Sequence, residues 1–150
     1  MKRYAIITGA SSGIGEEYAR QLAAKGYNIV IVSEREEANH CVAEAIAKKY
    51  GVEALPLTVD LTDDDAADKV FAFAQQLPGQ VDTLINNAGM LLFSTLERTP
   101  DTRLDKIISL HCTTPTKLCR LFAAEMTKRG HGHILLMSSV TAWTPYPTIS

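Results

Sequence analysis

An apolar run that ends in glycine and passes directly into a helical pattern is the most restrictive feature of this chain. Residues 4–8 form a short, near-continuous apolar run, as a strand covered on both faces should. Thr8-Gly9-Ala10-Ser11-Ser12-Gly13-Ile14-Gly15 follows. Ile14, Tyr18 and Leu22, with Ala19 and Ala23, then recur at helical spacing as far as Gly26. Glycine answers three needs at such a junction: a tight turn with positive φ, close backbone approach to a ligand, and tight helix–strand packing. The helix start also presents free N–H groups to an anion. Taken alone, G-x-x-x-G-x-G describes either a phosphate cradle or an ordinary strand–helix turn. The preceding strand and following helix favour the cradle.

The same alternation continues along the chain. Strands are expected at residues 29–32, 53–59, 81–85 and 133–137, and a helix over 38–50, ended by Gly51. Thr62 is the expected cap of a further helix, with Asp63, Asp64 and Asp65 at its positive end. Thr99-Pro100-Asp101 starts a long helix running to about residue 129, stopped by Gly130. Alternating strands and helices with right-handed crossovers give an α/β fold, a doubly wound parallel sheet of strand order 3-2-1-4-5. Pro56 cannot donate to a ladder, which suits the third strand at an edge. Ligands bind such sheets at the carboxyl ends of the strands, here between the first and fourth.

Composition removes several function classes. At 46% hydrophobic, the chain is too apolar for a long disordered segment. Lys and Arg number 15 against 17 Asp and Glu, with no basic block, so no nucleic-acid partner is expected. No apolar run approaches the roughly 18 residues of a membrane helix, so no membrane partner is expected. Cys41, Cys112 and Cys119 are odd in number and form no CxxC. They suit free thiols in a reducing cytoplasm, and no metal site is expected.

Three motifs in order carry a family resemblance. Gly9-x-x-x-Gly13-x-Gly15 resembles the cofactor loop of the short-chain dehydrogenase/reductase family. Asn86-Asn87-Ala88-Gly89 resembles its NNAG motif. Gly132-His133-Ile134-Leu135-Leu136-Met137-Ser138-Ser139 resembles its fifth strand, which ends in the catalytic serine. The resemblance implies a single Rossmann-type NAD(P)-binding domain over residues 1–150. It also implies oxidation of alcohols or reduction of ketones, with a small-molecule carbonyl or alcohol as the substrate.

On the matching positions, the resemblance places the cofactor against Gly9, Ser11, Ser12, Gly13, Ile14 and Gly15. It adds Asp60 and Leu61 at the adenine, and Asn87, Ala88 and Gly89 at the ribose. The asparagine side chains equally suit a tie between neighbouring strands. Asp60 suits turn chemistry as well. The second strand ends in Ser33-Glu34-Arg35. Ser33 stands where NAD-type members carry Asp, and Ser33 with Arg35 can take a 2′-phosphate, which favours NADP. Glu34, where many NADP-type members carry Arg, keeps NAD as the alternative.

Ser139 is the catalytic candidate, bonding the substrate oxygen. The family's helical asparagine aligns with His111. Pro115, four residues on, has no N–H, so the His111 carbonyl loses its normal helical partner. That carbonyl is expected to hold the relay water assigned to the asparagine's main chain, with Pro115 supplying the kink. On the face of Leu104, Ile107 and Ile108, the imidazole otherwise reads as a packed core side chain. Trp143, Pro145, Tyr146 and Pro147 are expected to line an apolar substrate wall.

The family's Tyr-x-x-x-Lys acid/base pair would fall just past Ser150; Tyr146 is not that tyrosine, because Ser150 stands four residues after it. The chain is therefore expected to be the first part of a longer protein, a homo-oligomer at full length. A reading of different class is a dinucleotide-binding or scaffold fragment without catalysis.

Overall fold

The computed structural model describes residues 2–144. The apolar runs form strands β1 (Lys2–Thr8), β2 (Asn28–Ser33), β3 (Ala54–Thr58), β4 (Gly79–Asn86) and β5 (His133–Leu136). Between them lie helices α1 (Gly13–Ala24), α2 (Glu36–Tyr50), α3 (Ala66–Gln75), α4 (Asp101–Ile108) and α5 (Thr114–Arg129). All strands are parallel, in the order β3-β2-β1-β4-β5. This is the expected Rossmann-type doubly wound sheet. Pro56 sits on the edge strand, opposite Ile31, where its missing N–H leaves no central ladder broken.

Successive residues of β1 feed opposite cores, because strand side chains alternate. Tyr4 and Ile6 pack with Val30, Val70, Leu118 and Phe122 beneath α3 and α5. Ala5 and Ile7 pack with Ala19, Ile31, Val42 and Ile46 beneath α1 and α2. Both faces are covered, so β1 reads as continuously apolar rather than alternating.

Two local expectations are corrected. Thr62 does not cap α3. That helix begins at Ala66 after a turn, and the Thr62 hydroxyl donates instead to Asp60 Oδ1 at 2.7 Å. A preceding carboxylate two residues away captures the hydroxyl before the helix can. The single long helix to residue 129 is also interrupted. Between α4 and α5, Ser109–Thr113 forms a π turn in which the Thr114 N–H donates to the Ser109 carbonyl. Pro115 cannot supply an N–H to the carbonyl of His111, and a wider turn absorbs the mismatch.

At the opposite end of the sheet, Tyr4 is buried and its hydroxyl donates to Glu53, which also takes Lys2 Nζ at 3.1 Å. Burial, reinforced by the Glu53 carboxylate, pushes the Tyr4 hydroxyl up to about 12. A raised value means that this contribution is complete below the ordinary tyrosine range and is lost as pH climbs towards about 12. The Tyr4→Phe protein is expected to be less stable by about 1 kcal/mol at neutral pH. The gap should close as alkaline pH removes the wild-type bond. Urea unfolding across that range checks this; a gap that stays constant into strong alkali would contradict it.

Candidate functional site

The carboxyl ends of β1, β2, β3 and β4 surround a cleft of about 360 Å³. Thr8, the last residue of β1, organises its floor. Its buried Oγ1 accepts the main-chain N–H groups of Asn87 at 2.9 Å and Ala88 at 3.0 Å. Asn87 Nδ2 returns a bond to the Thr8 carbonyl at 3.1 Å. Asn87 thus ties β1 to β4 and also lines the cleft.

The glycine loop lies against this tie. Gly9 has φ +68° and donates its N–H to the Val32 carbonyl at 2.7 Å. Gly15 is buried beneath the loop. A Cβ there would stand 2.5 Å from Asn87 Nδ2 and closer still to the Gly9 carbonyl oxygen. Gly9, Ser11 and Ser12 line the cleft, whereas Gly13 and Ile14 are exposed to solvent. Of the loop residues expected at the cofactor, three face the cleft and Gly15 supports it from beneath. Ala88 and Gly89 also line it.

At the end of β2, Arg35 reaches across the loop. Its Nη2 donates to Ser11 Oγ at 2.7 Å and to Ser12 Oγ at 2.6 Å. Both hydroxyls accept from the guanidinium, which leaves their own protons free for a ligand. One cation and two hydroxyl donors thus converge at the cleft, an arrangement suited to an anion. Ser33, nearly buried, accepts the Arg35 N–H at 3.1 Å and donates to Asn39 Oδ1 at 2.6 Å.

Asp60 and Leu61 line the far wall. Thr62's hydroxyl, then its main-chain N–H, hold the Asp60 carboxyl below the usual carboxylate range, so it stays anionic. Leu61 is buried, and its carbonyl accepts from Thr114 Oγ1 at 2.9 Å, fixing this wall to the start of α5.

His111 lies in the π turn beside the cleft and is exposed, not packed in the core. Its Nε2 is 3.1 Å from Met90 N and 3.0 Å from Met90 O. A single ring nitrogen serves one of these partners at a time, according to its protonation. The interrupted helix agrees with the kink expected from Pro115. Ser139 follows β5 and is exposed. Its Oγ accepts from Thr141 N at 3.2 Å and lies 2.8 Å from Thr141 Oγ1. Neither Ser139 nor His111 borders the 360 Å³ cleft. Trp143 is 89% exposed. Pro145, Tyr146, Pro147 and Ser150 lie outside the described residues.

Sequence reasoning passed over Thr8, Asn39 and Lys106. Lys106 lines the cleft from α4 and draws Asp60 further towards its charged form. A helical period alone says nothing about which strand end Lys106 faces. Among the described residues no group of three metal-ligating side chains occurs, and no helix is long and apolar enough to cross a membrane.

Comparisons with known proteins agree with this architecture. A model of the short chain dehydrogenase family matches residues 3–150. A very-long-chain 3-oxoacyl-CoA reductase from Pyricularia oryzae is 35% identical, over 98% of this chain and 45% of its own length. A short-chain dehydrogenase from Sphingobium yanoikuyae, solved with NADPH, superposes with a TM-score of 0.91 at 29% identity, covering 97% of this chain and 57% of that one. L-sorbose reductase from Gluconobacter frateurii, solved with NADPH and L-sorbose, gives 0.91 at 32% identity, covering 97% and 55%. The chain thus spans about half the length of the relatives it matches. With the glycine loop, the NNAG segment and the sheet order all in their places, it belongs to the short-chain dehydrogenase family.

Proposed function

We propose that the cleft binds NADP, and that the protein interconverts a carbonyl and an alcohol by hydride transfer. The observation that carries the cofactor reading is the Arg35 guanidinium lying across Ser11 and Ser12. These groups converge on the 2′-phosphate that distinguishes NADP from NAD. The NADPH found in the Sphingobium and Gluconobacter proteins supports the same reading. When bound, the nicotinamide supplies or takes up the hydride.

The chain's own residues then divide the work. The loop around Gly9 and the start of α1 approach the pyrophosphate. Asn87, Ala88 and Gly89 meet the ribose. Asp60 and Leu61 form the adenine wall. Ser139 donates a hydrogen bond to the substrate oxygen and steadies charge developing there, while the proton comes from the tyrosine of the family's Tyr-x-x-x-Lys pair. The His111 carbonyl, without a proline N–H to bind, is assigned to a water on the proton path. Exposed Leu91, Phe93 and Trp143, all in loops leaving strand carboxyl ends, support a partly apolar substrate. A cytoplasmic setting belongs to this reading on the cysteine pattern, and a homo-oligomer on the family resemblance.

Fluorescence titration with NADPH and NADH, alongside reduction of a ketone panel by the full chain, tests the reading. The Arg35→Ala protein is expected to bind NADPH about 10- to 100-fold more weakly, with NADH little changed. Equal losses for both cofactors would remove the 2′-phosphate assignment. Tight binding with no turnover on any ketone would favour the non-catalytic module.

A further inference from the structure

Asn39 is a polar residue where the pattern of α2 calls for an apolar one. It shares the buried stripe of Val42, Ala43 and Ile46 and has 0% exposure. A buried carboxamide is costly unless its bonding capacity is used. Here Nδ2 donates to the Ser33 carbonyl at 3.0 Å and the Leu57 carbonyl at 3.4 Å, joining the ends of β2 and β3. Oδ1 faces Ser33 Oγ at 2.6 Å.

The direction of that last bond follows from the other two. Carbonyl oxygens carry no hydrogen, so the amide nitrogen must be the atom facing them. A flipped amide would set oxygen against oxygen at both contacts. The atom facing Ser33 is therefore an acceptor, and the Ser33 hydroxyl must spend its only proton there. One lone pair of that hydroxyl takes the Arg35 N–H. What Ser33 presents to the cleft is a lone pair, with no proton to give.

We propose that Asn39 is a positioning residue for cofactor choice, which holds Ser33 as an acceptor. Ser33 then receives the ribose 2′-hydroxyl that only NAD carries and takes no part in binding the 2′-phosphate of NADP, which falls to Arg35, Ser11 and Ser12 alone. This differs from the expectation that Ser33 and Arg35 hold the phosphate together, and it rests on the reading of the cleft as an NADP site. The carbonyl stitch made by Nδ2 is structural. The Oδ1 bond is the part that reaches the ligand.

The test measures NADPH and NADH dissociation constants for the full chain carrying Ser33→Ala, Asn39→Leu, or both, with folding checked by circular dichroism. Ser33→Ala is expected to weaken NADH by about tenfold and to leave NADPH unchanged or tighter. Asn39→Leu frees the Ser33 proton and should raise the preference for NADPH. In the Ser33→Ala background it should have no further effect on that preference. A Ser33→Ala protein that loses NADPH more than NADH shows Ser33 donating to the phosphate and overturns the proposal. So does an Asn39→Leu effect of the same size with and without the Ser33 hydroxyl. If Asn39→Leu does not fold, the Ser33→Ala result decides alone. A wild-type protein that binds neither cofactor would remove the dinucleotide reading itself, and this inference with it.

Discussion

The Gly15→Ala protein is expected to lose measurable NADPH binding and a large part of its stability. A Cβ at this buried position would meet Asn87 Nδ2 at 2.5 Å and press on the carbonyl of Gly9. Both contacts belong to fixed parts, the turn after β1 held by the Gly9–Val32 bond and the Asn87 tie between β1 and β4. Overpacking of this kind costs about 1–3 kcal/mol, sometimes more. The displacement is transmitted to Gly9, which faces the cleft, so binding suffers beyond the stability loss. Gly13 provides the comparison. It has φ +59° and a Cβ there would have no neighbour within 4 Å, so Gly13→Ala incurs only backbone strain of roughly 1–2 kcal/mol. Thermal unfolding and NADPH titration on the two proteins check this. Wild-type behaviour from Gly15→Ala would show that the loop does not pack on β4 as described.

Removing the Ser139 hydroxyl is the second large effect. Its Oγ accepts the Thr141 N–H, and the proposed reaction sets its hydroxyl against the substrate oxygen. The Ser139→Ala protein is expected to lose a factor of about 10²–10³ in kcat, the usual consequence of deleting one donor to a developing oxyanion. NADPH affinity should not change, because Ser139 lies outside the cofactor cleft. Steady-state ketone reduction with a parallel NADPH titration separates the two. Unchanged kcat would remove Ser139 from the chemistry.

These two positions were legible for different reasons. Gly15 was visible because a loop between strand and helix demands glycine at close approaches, and spacing records that demand. Ser139 was visible only through the motif around it, since a serine ending a strand is otherwise unremarkable. Arg35 was read as a phosphate ligand from its place after the second strand. Its bonds to Ser11 and Ser12, 24 and 23 residues away, were not readable from spacing. Thr62 shows a competition that sequence does not resolve. Cap and turn chemistry both call for the same hydroxyl, and the distance to Asp60 decides between them.

By itself, the sequence determined the order of strands and helices, the doubly wound sheet, the edge position of Pro56 and the glycine loop at the switch point. Each follows from local periodicity or from a backbone requirement carried by one residue type. Only the tertiary structure decided how protons and donors are shared. It made Thr8 the acceptor for the β4 end, turned Arg35 across the loop, set the His111 ring beside Met90, and gave the Ser33 proton to Asn39. Those assignments depend on distances of about 3 Å between residues far apart in the chain, and hydrogen bonds of that length have no signature in sequence spacing.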